Sequence, residues 1–208
     1  MINKLSVLLS EEISLRLNSS DDEKEIYAYS IEVLFSLVVN ICILTVTSII
    51  LKKQIELIIF TIFFAGLRAY AGGYHSKTHI ECFAITLSIF LMSSLSSTFF
   101  TAFGKAILIF GTLFSIAMVF WLAPSESPNK PLSEKRRKRN KIISRAIVII
   151  FSIAAIVLYY MKDKVGDIYI TATMAMIIES ISLVKKWSMY KLGVTVLNEL
   201  SFSLLINT

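Results

Sequence analysis

A thiol and two imidazoles stand within eight residues of one another: His75, His79 and Cys82. The whole chain of 208 residues holds 2 histidines and 2 cysteines, so the cluster takes both imidazoles and half the thiols. Three chemistries fit it. A thiol beside an imidazole is a base-activated nucleophile. His79 and Cys82, one helical turn apart, could share a metal, but a zinc site needs three or four ligands and would also call on His75 and a carboxylate. The plain alternative is a polar loop carrying the three by coincidence.

Geometry constrains the first chemistry. Were 75–82 one straight helix, seven residues would separate His75 and Cys82 by roughly 10.5 Å along the axis. A base must come within about 3 Å of its nucleophile. A bend is therefore required, and the sequence offers one. Gly72-Gly73 can turn sharply because glycine accepts positive φ, and Thr78-x-x-Glu81 is a capping-box pattern that would start a helix at Thr78. Cys82 would then lie in a first helical turn, where the N-terminal dipole favours thiolate, with His75 folding back from the loop. Residues 72–77 are expected to be non-helical. Glu81 reads as the capping partner or as an orienter of the base. Arg68, at the end of an apolar run, reads as a snorkelling cation or as an anchor for a substrate carboxylate. Cys42, between Ile41 and Ile43, reads as a packing residue.

These residues sit among elements that belong in a bilayer. The hydrophobic fraction is 55% and the mean hydropathy +0.71, above the usual soluble range. A helix needs about 20 mostly apolar residues to cross hydrocarbon. Runs at about 29–51, 82–103, 104–122, 142–161 and 165–184 approach that length, and a shorter one, 55–71, is marginal enough to enter and return. Leu5, Leu9, Ile13 and Leu17 recur every four residues, as in an amphipathic surface helix (1–18). Ser20-x-x-Glu23 could cap the helix that follows. The first 25 residues carry Glu11, Glu12, Asp21 and Asp22 and show no cleavable signal peptide. The expected fold is all-α: one integral membrane domain, 1–208, a polytopic bundle of about six transmembrane helices.

Charge sets the expected orientation. With both termini inside, inner segments hold 16 of the 21 basic residues, including Lys130, Arg136 and Arg137, as the positive-inside rule requires. The basic run 135–141 lies between apolar segments, which argues against nucleic acid as a partner. Within spans, a charged residue costs about 2.5–3.5 kcal/mol at the bilayer centre. Glu32 and Glu56 lie near span ends, within reach of water. Glu179 lies deeper and is the better candidate for an internal partner, which the sequence does not name.

The string RAYAGGYHSKTHIEC, 68–82, resembles the R-x-x-x-G-G-x-H segment and following cysteine of the accessory gene regulator protein B family. The loop APSESPNKPLSEKRRKRNK, 123–141, resembles that family's Asn-Lys-Pro-Leu loop with its basic run. The resemblance implies a membrane cysteine endopeptidase of Gram-positive quorum sensing, with Cys82 as nucleophile and His75 as its catalytic histidine. Arg68, Gly72, Gly73, Glu81, Lys130, Arg136 and Arg137 are candidates for substrate binding or support, and His79 takes no role. The implied substrate is a precursor peptide with an amphipathic leader and an acidic tail. The tail is released through an acyl-enzyme thioester, and the rest closes to a cyclic autoinducing peptide. The family further implies a homodimer in the bacterial cell membrane; no metal or other cofactor is expected. Two rivals remain at this stage: a non-enzymatic peptide transporter or export component, and a metal-dependent membrane protein using His75, His79 and Cys82.

Overall fold

The computed structural model describes residues 2–17, 20–73, 79–125 and 133–184. Among them the helices run α1 (Ile2–Leu17), α2 (Asp21–Ile50), α3 (Gln54–Ala71), α4 (His79–Phe99), α5 (Gly104–Leu122), α6 (Glu134–Tyr160) and the single turn α7 (Lys162–Val165). The last is α8 (Ile168–Val184). A 3-10 turn, Thr101–Phe103, joins α4 to α5. By length and composition α2 to α6 can each cross a membrane. The fold is an all-α membrane bundle.

Helix starts follow local chemistry. The Ser20 hydroxyl accepts the Glu23 N–H at 3.4 Å and the Ser20 N–H donates to the Glu23 carboxylate at 3.0 Å, a reciprocal cap. It starts α2 at Asp21, well ahead of the apolar run expected from about 29. α6 departs further from expectation. The basic run forms its first turns rather than a loop, since α6 starts at Glu134 and not near 142. Lys, Arg and Glu are good helix formers, so the helix continues past the apolar run that marks the span. α3 is an unbroken helix of 18 residues, with no re-entrant turn. At its start Lys53 donates to Glu56 at 2.7 Å and to the Ser97 hydroxyl at 3.4 Å, so the expected span-end carboxylate is paired.

α8 is shorter than the expected run from 165. α7 ends at Val165, Gly166 takes φ +73°, and α8 begins only at Ile168. It is also the helix most enclosed by protein: Ile170, Ala172, Ala175, Met176 and Leu183 are all fully buried. Protein rather than lipid covers its backbone, so its length need not match the hydrocarbon thickness. Small residues let neighbours approach it. A Cβ added at Gly111 of α5 would lie 2.6 Å from Thr173 Cγ2 and 2.7 Å from Ile177 Cδ1.

Lipid is as apolar as leucine, so helix association in a membrane rests on packing, not on removal of apolar surface from water. Rings provide much of that packing. Phe60 stacks on Phe64 at 5.1 Å and tilts against Phe90 of α4 at 5.5 Å, while Phe63 meets Phe151 of α6 at 4.6 Å. The outer faces are apolar, with Leu34, Leu37, Val38 and Ile41 of α2 exposed. Cys42 is exposed among them, which corrects its expected packing role; a thiol is apolar enough to face lipid. α1 folds back on α2 through its serine side. Ser6 and Ser10 are buried while Leu9, Ile13 and Leu17 face outward, and Lys24 pairs with Glu11 at 3.0 Å.

Candidate active site

The helices alternate in direction, so the C-terminal ends of α3, α5 and α8 and the N-terminal ends of α4 and α6 share one end of the bundle. α3 ends there at Gly72, with φ +79° and ψ −150°, a region essentially restricted to glycine. Its N–H still donates to the Arg68 carbonyl at 3.0 Å. Gly73 follows with φ +143°. The two glycines turn the chain out of α3 toward α4, as their type and spacing require.

Two walls hold this turn. On one side Gly72 bridges to Ser125, whose N–H donates to the Ala71 carbonyl at 2.8 Å. A Cβ on Gly72 would press into the Ser125 carbonyl oxygen. On the other side lie Glu179 and Ser182 of α8. A Cβ on Gly73 would stand 2.6 Å from Ser182 Oγ, 2.7 Å from Glu179 Oε1 and 3.4 Å from Arg68 Nη1. Arg68 Nη1 donates to Glu179 Oε2 at 3.0 Å, and its guanidinium lies 5.4 Å from the Phe64 ring centroid. The Glu179 side chain is 0% exposed and that of Arg68 24%. The internal partner expected for Glu179 is thus Arg68, and the carboxylate that Arg68 meets belongs to the chain itself.

α4 begins at His79, and Cys82 lies in its first turn, exposed. Glu81, in the same turn, is exposed. His75, Thr78 and Lys130 lie outside the described residues. Arg136 and Arg137 lie exposed near the start of α6. That helix is tied to the end of α5, where Arg145 donates to the Phe120 carbonyl at 2.9 Å and its guanidinium stands 4.8 Å from the ring centroid. Three helix ends therefore converge on the double-glycine turn, from α3, α5 and α8. Sequence reasoning missed Ser125 and Ser182. A serine in a loop or on a helix carries no signal of its own, and only the Cβ-free surface of Gly72-Gly73 hints that something packs closely there.

Comparison with known proteins agrees with this architecture. The chain is 34% identical over 170 residues to an AgrB-like protein of Clostridium perfringens (strain SM101 / Type A), covering 77% of this chain and 79% of that one. It is 31% identical, with the same coverage, to a second AgrB-like protein, from strain 13 / Type A of that organism. No solved structure matches. The description "Accessory gene regulator B" fits residues 2–183. The chain belongs to the accessory gene regulator B family, as a multi-pass membrane protein with a role in quorum-sensing peptide processing.

Proposed function

We propose that the chain is a cysteine endopeptidase that removes the C-terminal tail of a precursor peptide at the membrane and passes the remainder on to cyclisation. His75 takes the proton from the Cys82 thiol. The sulfur attacks the carbonyl carbon of the scissile bond, and the tail leaves with its new amino group protonated by His75. The acyl group is then held as a thioester on Cys82. A thiol or hydroxyl of the same peptide attacks that carbonyl, the Cys82 sulfur departs and recovers a proton, and a thiolactone or lactone closes. The thioester conserves the acyl activation that ring closure needs.

The observation that carries this reading is the placement of Cys82. It is an exposed thiol in the first turn of α4, reached from a double-glycine turn that two walls hold in place. The charges support it too. The same end of the bundle holds the basic start of α6, a surface suited to an acidic tail. With that end in the cytoplasm, the basic residues also obey the positive-inside rule.

The test uses protein reconstituted in liposomes with a synthetic tailed precursor. Cys82→Ser and His75→Ala should each lose at least about 10²–10⁴ in cleavage rate while inserting and accumulating normally. The wild type should trap a thioester that hydroxylamine releases. Normal processing by Cys82→Ser would sink the mechanism.

A further inference from the structure

We propose that Glu179 is a positioning residue: its ion pair with Arg68, set between α8 and α3, forms the floor that fixes the Gly72-Gly73 turn and with it the approach to Cys82. The inference rests on the reading of Cys82 as nucleophile. It goes beyond that reading by assigning a role to the last described helix.

Three observations carry it. First, Glu179 is fully buried, on the helix most enclosed by protein. An ionised carboxylate persists at such a place only with a charged or hydrogen-bonding partner, and Arg68 supplies one at 3.0 Å. Second, the pair touches the turn. The vacant Cβ position of Gly73 is within 2.7 Å of Glu179 Oε1 and 3.4 Å of Arg68 Nη1, so the glycine backbone lies directly on the two charged groups. Third, Arg68 is doubly placed. Its guanidinium reaches α8, while its carbonyl accepts the Gly72 N–H that closes α3. Movement of Arg68 therefore moves the last turn of α3 and the glycines together. The opposite wall meets the turn through backbone, with the Ser125 N–H donating to the Ala71 carbonyl at 2.8 Å, whereas the ion pair meets it through two charged side chains from different helices.

A displacement of about 1 Å at a reacting group can cost about 10² in rate. In liposomes, Glu179→Gln should therefore lower kcat about 100-fold with KM nearly unchanged, since the substrate surface is intact. Glu179→Asp, which keeps the charge, should recover part of that loss. Hydrogen–deuterium exchange should quicken in the peptide over 68–73 of Glu179→Gln and stay unchanged in α5 and α6. Glu179→Gln leaves a cation against a buried neutral group and risks misfolding. The double variant Arg68→Gln/Glu179→Gln removes both charges, which proteins tolerate better. It should fold and keep the kcat loss and the faster exchange.

Wild-type kcat in the double variant would overturn the proposal. So would a lowered kcat without faster exchange over 68–73, because Glu179 would then act elsewhere. The exchange measurement needs no chemistry at Cys82. Normal processing by Cys82→Ser would remove the peptidase mechanism, while exchange would still decide whether the pair holds the turn.

Discussion

Gly72 and Gly166 share one backbone conformation and differ in surroundings, so alanine at each separates strain from space. Gly72 has φ +79° and ψ −150°, and Gly166 has φ +73° and ψ −166°. A side chain in that region costs about 1–3 kcal/mol, partly offset by about 0.4–1 kcal/mol from the stiffer unfolded chain. Both variants carry this charge against stability equally. At Gly166 nothing lies within 4 Å of an added Cβ, so its cost ends there. At Gly72 the Cβ enters the Ser125 carbonyl oxygen, with Ser125 C and N at 3.3 Å. These are backbone atoms that no rotamer change can move aside. Overpacking of this kind costs about 1–3 kcal/mol, and loss of the 2.8 Å bond from the Ser125 N–H to the Ala71 carbonyl costs about 0.5–1.5 kcal/mol more. The excess at Gly72 is then about 1.5–4.5 kcal/mol. Appearing as displacement of the turn, that is a fall of about 10- to 2,000-fold in kcat/KM. The assay pairs thermal melting in detergent with precursor cleavage in liposomes. Gly166→Ala should melt lower and cleave normally, whereas Gly72→Ala should lose cleavage by the stated factor. Equal cleavage by the two would refute the claim that Ser125 holds the turn.

Two further outcomes follow from the same geometry. Gly111→Ala sits in a helix and pays no backbone strain, yet its Cβ meets Thr173 and Ile177 at 2.6 and 2.7 Å; overpacking should outweigh the roughly 1 kcal/mol of helix propensity regained, for a net loss of up to about 2 kcal/mol, and a raised melting temperature would show that α5 and α8 are less closely packed. Replacing Arg136, Arg137, Lys138 and Arg139 by Gln should raise KM for an acidic-tailed precursor at low salt and leave kcat nearly unchanged. The difference should shrink as added salt shortens the screening length toward about 8 Å. With orientation verified by cysteine labelling, an unchanged KM would reduce the run to a topology signal.

Local signals in the sequence were strong where one segment decides the outcome by itself. The Ser20-x-x-Glu23 cap needs only its own four residues, and it is present as both reciprocal bonds. Gly72-Gly73 reads as a turn because no other residue type accepts those φ values, and both take them. Hydropathy was a weaker guide to helix ends. It marks where lipid begins, whereas α2 and α6 start outside the lipid, one on a capping box and the other on a run of helix-forming cations. For the same reason hydropathy alone places the basic run in a loop, although it forms the first turns of α6.

The contacts that make the site are of another kind. Glu179 was legible as a buried charge in want of a partner, and Arg68 as a cation that meets a carboxylate. The two stand 111 positions apart, and one sequence holds no record of which helices touch. The polar residues of 165–184 carry part of that information, because polar groups within a span face protein rather than lipid, and Thr171, Thr173, Glu179 and Ser180 are all buried. A buried carboxylate is held ionised by a cation or hydrogen-bond donor at its own depth, here on a neighbouring helix. Arg68, one turn from the end of α3, matches Glu179, five residues short of the last described residue of α8, in depth as well as in charge. Burial of α8 thus comes before the pair, and the pair before the set of the glycine turn. In this chain the chemistry at one end of the bundle depends on which helix lies at its centre.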